Sequence, residues 1–153
     1  MRRRSFNKFS MVMIGIAILL FIIVMIRMLF GLGGEDPTDA VHAFYQFEQE
    51  GDFGSAWELF HPVMQERFPK NAYVTERSHI YMSHYGVSTF AFELGEEEEV
   101  KGWKMEKGGK GFSTVCRVEV QQTFKSKFGK FKVIQNVFVV KDKEEWKIAW
   151  QFE

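Results

Sequence analysis

The sequence predicts an α+β domain that follows an N-terminal transmembrane helix. Three observations lead to this prediction. Residues 11–32 are apolar or glycine apart from Arg27. Residues 36–85 then repeat apolar side chains at helical spacing, whereas residues 88–152 mostly alternate apolar and polar side chains, as strands do. Helices that precede an antiparallel meander with one apolar face are typical of a two-layer α+β domain.

Composition restricts the size and class of the protein. The part of the chain after the apolar run, roughly 120 residues, is long enough for one hydrophobic core. Hydrophobic residues make up 46% of the chain and aromatic residues 16%, which is typical of a folded domain. The 20 basic and 20 acidic residues cancel, so we expect no nucleic-acid partner. Cys116 is the only cysteine, which excludes an intramolecular disulfide.

Residues 11–32 have the length of a membrane-spanning helix, which needs about 20 apolar residues. The run is longer than the apolar core of a cleaved signal peptide, which favours an uncleaved anchor. Residues 1–10 form a basic tail that we place in the cytoplasm, and residues 33–35 are a short linker. The predicted localisation is therefore the cell membrane, with a single span and with the domain over 36–153 extracellular.

The helical region divides into short pieces at glycine and proline. Asp36 and Pro37 are suited to begin a helix that Gly51 ends, and Asp52 is suited to cap the next. Thr75 is predicted to cap the last helix, which ends before Gly86. The predicted helices cover 37–50, 53–60, 62–68 and 75–85.

Short turns separate the predicted strands. Glu96–Glu99 forms a turn or bulge, and Gly108–Gly111 is a strong hairpin signal. Further turns are predicted at Phe128–Lys130 and at Asp142–Glu144. The predicted strands cover 88–94, 100–105, 112–124, 131–141 and 146–152.

Several short motifs resemble the nuclear transport factor 2-like (cystatin-like) superfamily. Glu76-Arg77, Ile80-Tyr81 and Gly86-Val87 are similar to the helix-to-strand junction of one branch of that superfamily. Thr123 with Gly129 is similar to its central hairpin, and residues 146–150 to its closing strand. The branch is the N-terminal non-catalytic domain of methicillin-resistance-type penicillin-binding proteins, and the resemblance spans nearly all of 36–153. It implies a cone-shaped domain in which short helices pack on a curved antiparallel sheet.

In those proteins the domain precedes a transpeptidase, whose nucleophile lies in a Ser-x-x-K motif. The only such spacing in this chain is Ser5–Lys8, before the apolar run, so we do not expect that reaction. We predict a membrane-anchored, extracytoplasmic binding or scaffold module that is not an enzyme and is linked to bacterial envelope synthesis. Its expected partner is an envelope protein or an anionic wall polymer, and we expect no metal or cofactor.

A lysine-rich hairpin is the predicted interaction surface. Its lysines alternate with phenylalanines, and such a basic edge is suited to an anionic partner. The alternative is that the lysines only protect a strand edge from aggregation. The predicted surface consists of Lys125, Lys127, Lys130 and Lys132.

A second hypothesis is a small enzyme or ligand carrier that uses the interior of the cone. Its candidate residues are Glu76, His79 and Tyr81, with His84 and Tyr85 nearby. His79 and His84 are five positions apart, so an α-helix would not place them on one face as a metal-binding pair. Dimerisation through the outer sheet face also stays open.

Overall fold

The computed structural model of this chain describes residues 13–16, 18–22 and 36–152. The chain divides into two compact units, residues 1–32 and residues 33–153. In the first unit the described residues are helical. The second unit contains the predicted α+β domain.

The predicted transmembrane anchor is wrong on this structure. Crossing a bilayer takes about 20 consecutive helical residues. Among the described residues no helix has the length and apolar character that this requires. The described helical residues of the predicted anchor are 13–16 and 18–22, and its other residues lie outside the described part, as do the predicted tail 1–10 and linker 33–35. The predicted single-pass membrane localisation is wrong for the same reason.

Short helices form the first layer of the domain. Asp36 accepts a hydrogen bond from the Thr38 amide at 2.9 Å and so caps the first helix, and Gly51 ends it with φ of 79°. The last helix begins directly after Pro69, and the predicted cap at Thr75 is wrong because the helix is already formed there. The helices are α1 (Pro37–Glu50), α2 (Phe53–Glu58), α3 (Pro62–Arg67) and α4 (Lys70–His79), and a π-helical turn (Ile80–Tyr85) continues α4.

An antiparallel sheet forms the second layer. In the order in which they pair, its strands are β1 (Ala91–Val100), β4 (Val115–Ser126), β5 (Gly129–Asp142) and β6 (Glu145–Ala149). A separate two-stranded ribbon consists of β2 (Trp103–Lys104) and β3 (Gly111–Phe112). The ribbon interrupts the long strand predicted over 112–124, and the last strand ends at Ala149 rather than at residue 152.

The register of β1 against β4 shifts between Leu94 and Glu97. The turn or bulge predicted at Glu96–Glu99 overlaps this shift only at Glu96, since Glu97 to Glu99 pair regularly with β4 as part of the strand. A bulge bends its strand and increases its twist, which lets the sheet wrap around the helices.

The edges of the sheet differ in how they are covered. Residues Leu59 to His61 run beside β6, where the Ile148 amide donates to the Leu59 carbonyl at 2.8 Å and the His61 amide donates to the Ile148 carbonyl at 2.9 Å. Because β6 pairs only with Phe138–Asp142, residues 129–137 of β5 have no neighbouring strand on that side within the described part of the chain.

Aromatic side chains fill the space between the two layers. Phe44, Tyr45 and Phe60 are fully buried, and Trp150 packs against both Phe44 and Phe60 in edge-to-face geometry. On the inner face of the sheet Phe124 stacks on Phe131 with centroids 5.0 Å apart. The α+β class and the antiparallel sheet are therefore as predicted, and the interior is a packed core.

Candidate functional site

A buried carboxylate lies at the centre of the domain. Glu48, on the last turn of α1, is 1% exposed. It is a member of the inward stripe that also contains Val41, Phe44 and Tyr45, so its position follows from helical spacing. A charge is buried in this way only when partners satisfy it.

Helix α4 supplies those partners. The Arg77 guanidinium donates from Nε to Glu48 Oε1 at 2.6 Å and from Nη2 to Glu48 Oε2, which makes a two-pronged ion pair. The Tyr73 hydroxyl donates to the same carboxylate. Because Tyr73 and Arg77 are four positions apart, one face of α4 presents both.

The π-helical turn and the sheet complete the network. The Tyr81 hydroxyl donates to Glu48 Oε2 at 2.9 Å and accepts from Arg77 Nη2 at 2.7 Å. Gln122, which is 3% exposed on β4, donates to the Tyr81 hydroxyl at 3.3 Å. The five side chains therefore join α1, α4, the π-helical turn and the sheet.

The electrostatics of this network fix its protonation. Burial, together with the Glu48 charge, raises the pKa of Tyr73 and of Tyr81 well above the usual range for a phenol. Burial by itself would lower the pKa of Arg77, but the Glu48 charge and its hydrogen bonds outweigh burial and raise it. Both tyrosines thus stay neutral donors and Arg77 stays a cation.

This arrangement is suited to holding the fold together rather than to proton transfer. Each Glu48 oxygen accepts more than one hydrogen bond, and the surrounding space is filled by Phe53, Phe60 and Trp150. A substrate would have no room beside the carboxylate. Sequence reasoning missed Glu48, although the signal was present as an acidic residue on the apolar face of α1.

The three predicted catalytic candidates do not meet. Tyr81 is buried in the network, whereas Glu76 and His79 are exposed on α4. Tyr85 is half-buried against Phe124 and Phe131. The rings of His79 and His84 are in contact, although an α-helix would not place the two residues on one face. Within the described residues no group of three or more His, Cys, Asp or Glu side chains is arranged to hold a metal ion.

The predicted interaction surface lies at the tip of the β4–β5 hairpin. Lys125 is directly opposite Lys130, and Thr123 is directly opposite Lys132. The side chains of Thr123, Lys125, Lys130 and Lys132 therefore project from the same face of the sheet. The intervening Gln122 and Phe124 face the helices, which makes this the outer face. We call the three strand lysines, Lys125, Lys130 and Lys132, together with Lys127 in the hairpin turn, the lysine surface.

All four lysines are exposed, and none forms an ion pair with a described residue. Five other cations do pair: Arg67 with Glu106, Lys70 with Glu58, Arg77 with Glu48, Arg117 with Glu98, and Lys147 with Glu145. The lysine surface is thus a cluster of positive charge that the described chain does not neutralise.

Apolar side chains accompany the lysine surface. Phe128, in the hairpin turn, is 87% exposed with the Lys127 ammonium 4.9 Å from its ring centroid. Ile134, further along β5, is 59% exposed. Three phenylalanines alternate with these lysines in the sequence, and of these only Phe128 is exposed, whereas Phe124 is buried and Phe131 is half-buried.

A surface cleft of about 460 Å³ ends at this surface. It is lined by residues 86–91, Gln49, Thr123 and Lys125. The Gln49 amide donates to the Phe90 carbonyl at 2.6 Å and the Thr89 hydroxyl donates to the Gln49 carbonyl at 2.9 Å, so the walls are fixed. Lys125 belongs to both the cleft and the lysine surface.

The fold and the sites together define an α+β domain with a filled interior and with a lysine surface, on the outer face of the sheet, that the described chain does not neutralise. Comparison of the chain with models of protein families gives no match, and comparison with curated proteins gives none either. The resemblance to the nuclear transport factor 2-like superfamily therefore stays a prediction.

Proposed function

We propose that this domain is a non-catalytic binding module that engages an anionic partner through the lysine surface. The observation that carries the proposal is the group of four exposed lysines without a carboxylate partner in the described chain. Like charges placed opposite each other, as Lys125 and Lys130 are, repel and destabilise a hairpin. An anion that lies across them would relieve this repulsion.

Two further features favour binding over simple protection of the strand edge. Protection needs charge alone, but this surface also exposes Phe128 and Ile134, which add apolar contact area. The cleft beside Lys125 adds the hydroxyl groups of Ser88 and Thr123, which can donate hydrogen bonds to carboxylate or phosphate oxygens. Because the interior is filled by core side chains, we place partner binding on the outer surface.

The test measures binding of the full-length chain to two polyanions, poly-L-glutamate and inorganic polyphosphate. Charge reversal of Lys125, Lys127, Lys130 and Lys132 to Glu should weaken binding more than about tenfold, because close like charges then face the ligand. Raising the ionic strength from about 0.05 to about 0.5 M should weaken wild-type binding as well. The polyanion bound more tightly shows whether carboxylate or phosphate is preferred.

The matched control reverses four exposed lysines elsewhere: Lys101, Lys104, Lys110 and Lys143. It changes the net charge by the same amount, so a general charge effect would weaken binding in both variants. Equal losses in the two variants, or no binding of either polyanion by the wild type, would refute the proposal.

A further inference from the structure

Two histidines that the sequence separates are brought together by the π-helical turn. The rings of His79 and His84 are in edge contact, with centroids 4.8 Å apart and planes at 78°. In an α-helix, residues five positions apart point in different directions, because one turn takes 3.6 residues. The π-helix bonds residue i to residue i+5 and therefore aligns such a pair.

The pair begins where the α-helical geometry ends. His79 is the last residue of α4, and His84 lies within the turn Ile80–Tyr85. The turn is closed by Gly86, whose φ is 64°, and by a hydrogen bond from the Val87 amide to the Tyr81 carbonyl at 2.9 Å. Because Tyr81 is anchored in the Glu48 network, the turn is fixed from the interior.

Both imidazoles are available to solvent. His79 and His84 are exposed, and neither makes a hydrogen bond or an ion pair with another described residue. Neutral imidazole nitrogens are the ligands that Zn²⁺ and its neighbours in the first transition row prefer. Exposure also leaves the remaining coordination positions open to water or to a donor from another molecule.

We propose that His79 and His84 form a two-histidine site for a divalent late transition metal ion. A metal that takes one nitrogen from each ring at about 2.0–2.1 Å places the ring centroids roughly 4.5–5.2 Å apart. The observed separation of 4.8 Å falls in this range. The site is independent of the lysine surface and does not rest on the proposed function.

The test titrates Zn²⁺ into the full-length chain, prepared without a polyhistidine tag, by isothermal calorimetry at pH 7.5. We expect one Zn²⁺ per chain. His79→Ala and His84→Ala should each weaken binding about a hundredfold, because removal of either ring abolishes chelation. At pH 5.5 wild-type binding should weaken as well, because protonated imidazole does not bind metal.

Two control variants separate this site from other ligands in the chain. His42→Ala removes an exposed histidine that packs against Phe92 and should leave Zn²⁺ binding unchanged. Cys116→Ser should also leave it unchanged, although a thiol can bind Zn²⁺. Absence of Zn²⁺ binding by the wild type, or a loss in the control variants equal to that in the histidine-pair variants, would overturn the proposal.

Discussion

At the scale of single residues, the Glu48–Arg77 pair is the most demanding interaction in the domain. The side chain of Glu48 is fully buried and that of Arg77 is 18% exposed, so both charges have lost most of their hydration. Desolvation of that kind is offset only when the pair is complete and its remaining hydrogen bonds are made. Tyr73 and Tyr81 supply those bonds.

We therefore expect Arg77→Ala to lower the free energy of unfolding by about 3–5 kcal/mol, because it leaves a buried carboxylate without its cation. Arg67→Ala is the control, since Arg67 pairs with Glu106 where both side chains are nearly half exposed. Its cost should be below about 1 kcal/mol. Denaturant unfolding of both variants measures the difference, and equal costs would contradict this account of the network.

At the scale of elements, the π-helical turn decides how the helical layer enters the sheet. It places Tyr81 inward and His84 outward within six residues. Gly86 ends the turn in the left-handed region, and an added Cβ there would meet nothing within 4 Å. Any cost of a substitution at Gly86 therefore comes from the backbone and not from a clash.

Gly86→Ala should lower the free energy of unfolding by about 1 kcal/mol, because alanine resists positive φ. Gly86→Asn should cost less, since asparagine tolerates this conformation. The control is Gly54→Ala, at a position inside α2 where φ is not positive. The nearest atom to an added Cβ there is 3.5 Å away, so alanine should be neutral or stabilising by up to about 1 kcal/mol. Thermal unfolding gives all three values. Equal loss at Gly54 and Gly86 would show that backbone conformation is not the cause.

At the scale of the whole molecule, buried tyrosines connect the two layers. Tyr45 reaches the sheet through Gln135, and Tyr81 reaches it through Gln122. Burial, together with the Glu48 charge, raises the pKa of Tyr45, as it does for Tyr73 and Tyr81. These hydroxyls keep their protons in the folded chain at pH values where the unfolded chain loses them.

Ionisation of these tyrosines therefore favours unfolding. Their contribution to stability is complete below about pH 10, the ordinary pKa of tyrosine, and falls as the pH rises above it. Tyr81→Phe should reduce the steepness of this fall, because one of the buried hydroxyls is then absent. Unfolding free energies of the wild type and of Tyr81→Phe between pH 9 and 11 measure the difference. An identical pH dependence in wild type and Tyr81→Phe would contradict the role given to burial.

Much of the domain could be predicted from local sequence because the relevant signals act over a few residues. Asp36 and Gly51 mark the ends of α1, and alternation along β4 and β5 places Lys125, Lys130 and Lys132 on the outer face of the sheet. The prediction at Thr75 failed because Pro69 already begins the helix. The predicted membrane anchor failed, although the composition of residues 11–32 fits a span, because no helix among the described residues has the length and hydropathy that crossing a bilayer requires.

Local signals in the sequence set the order of helices and strands, the hairpin turns and the exposure of the lysines, since periodicity, caps and turn residues act over a few positions. The tertiary fold brought Glu48 to Arg77, 29 positions later, because packing selects the partners of a buried charge. It also decided that His79 meets His84, since the turn winds as a π-helix there. Residues that are separated in sequence come into contact only when the fold fixes the path of the backbone between them.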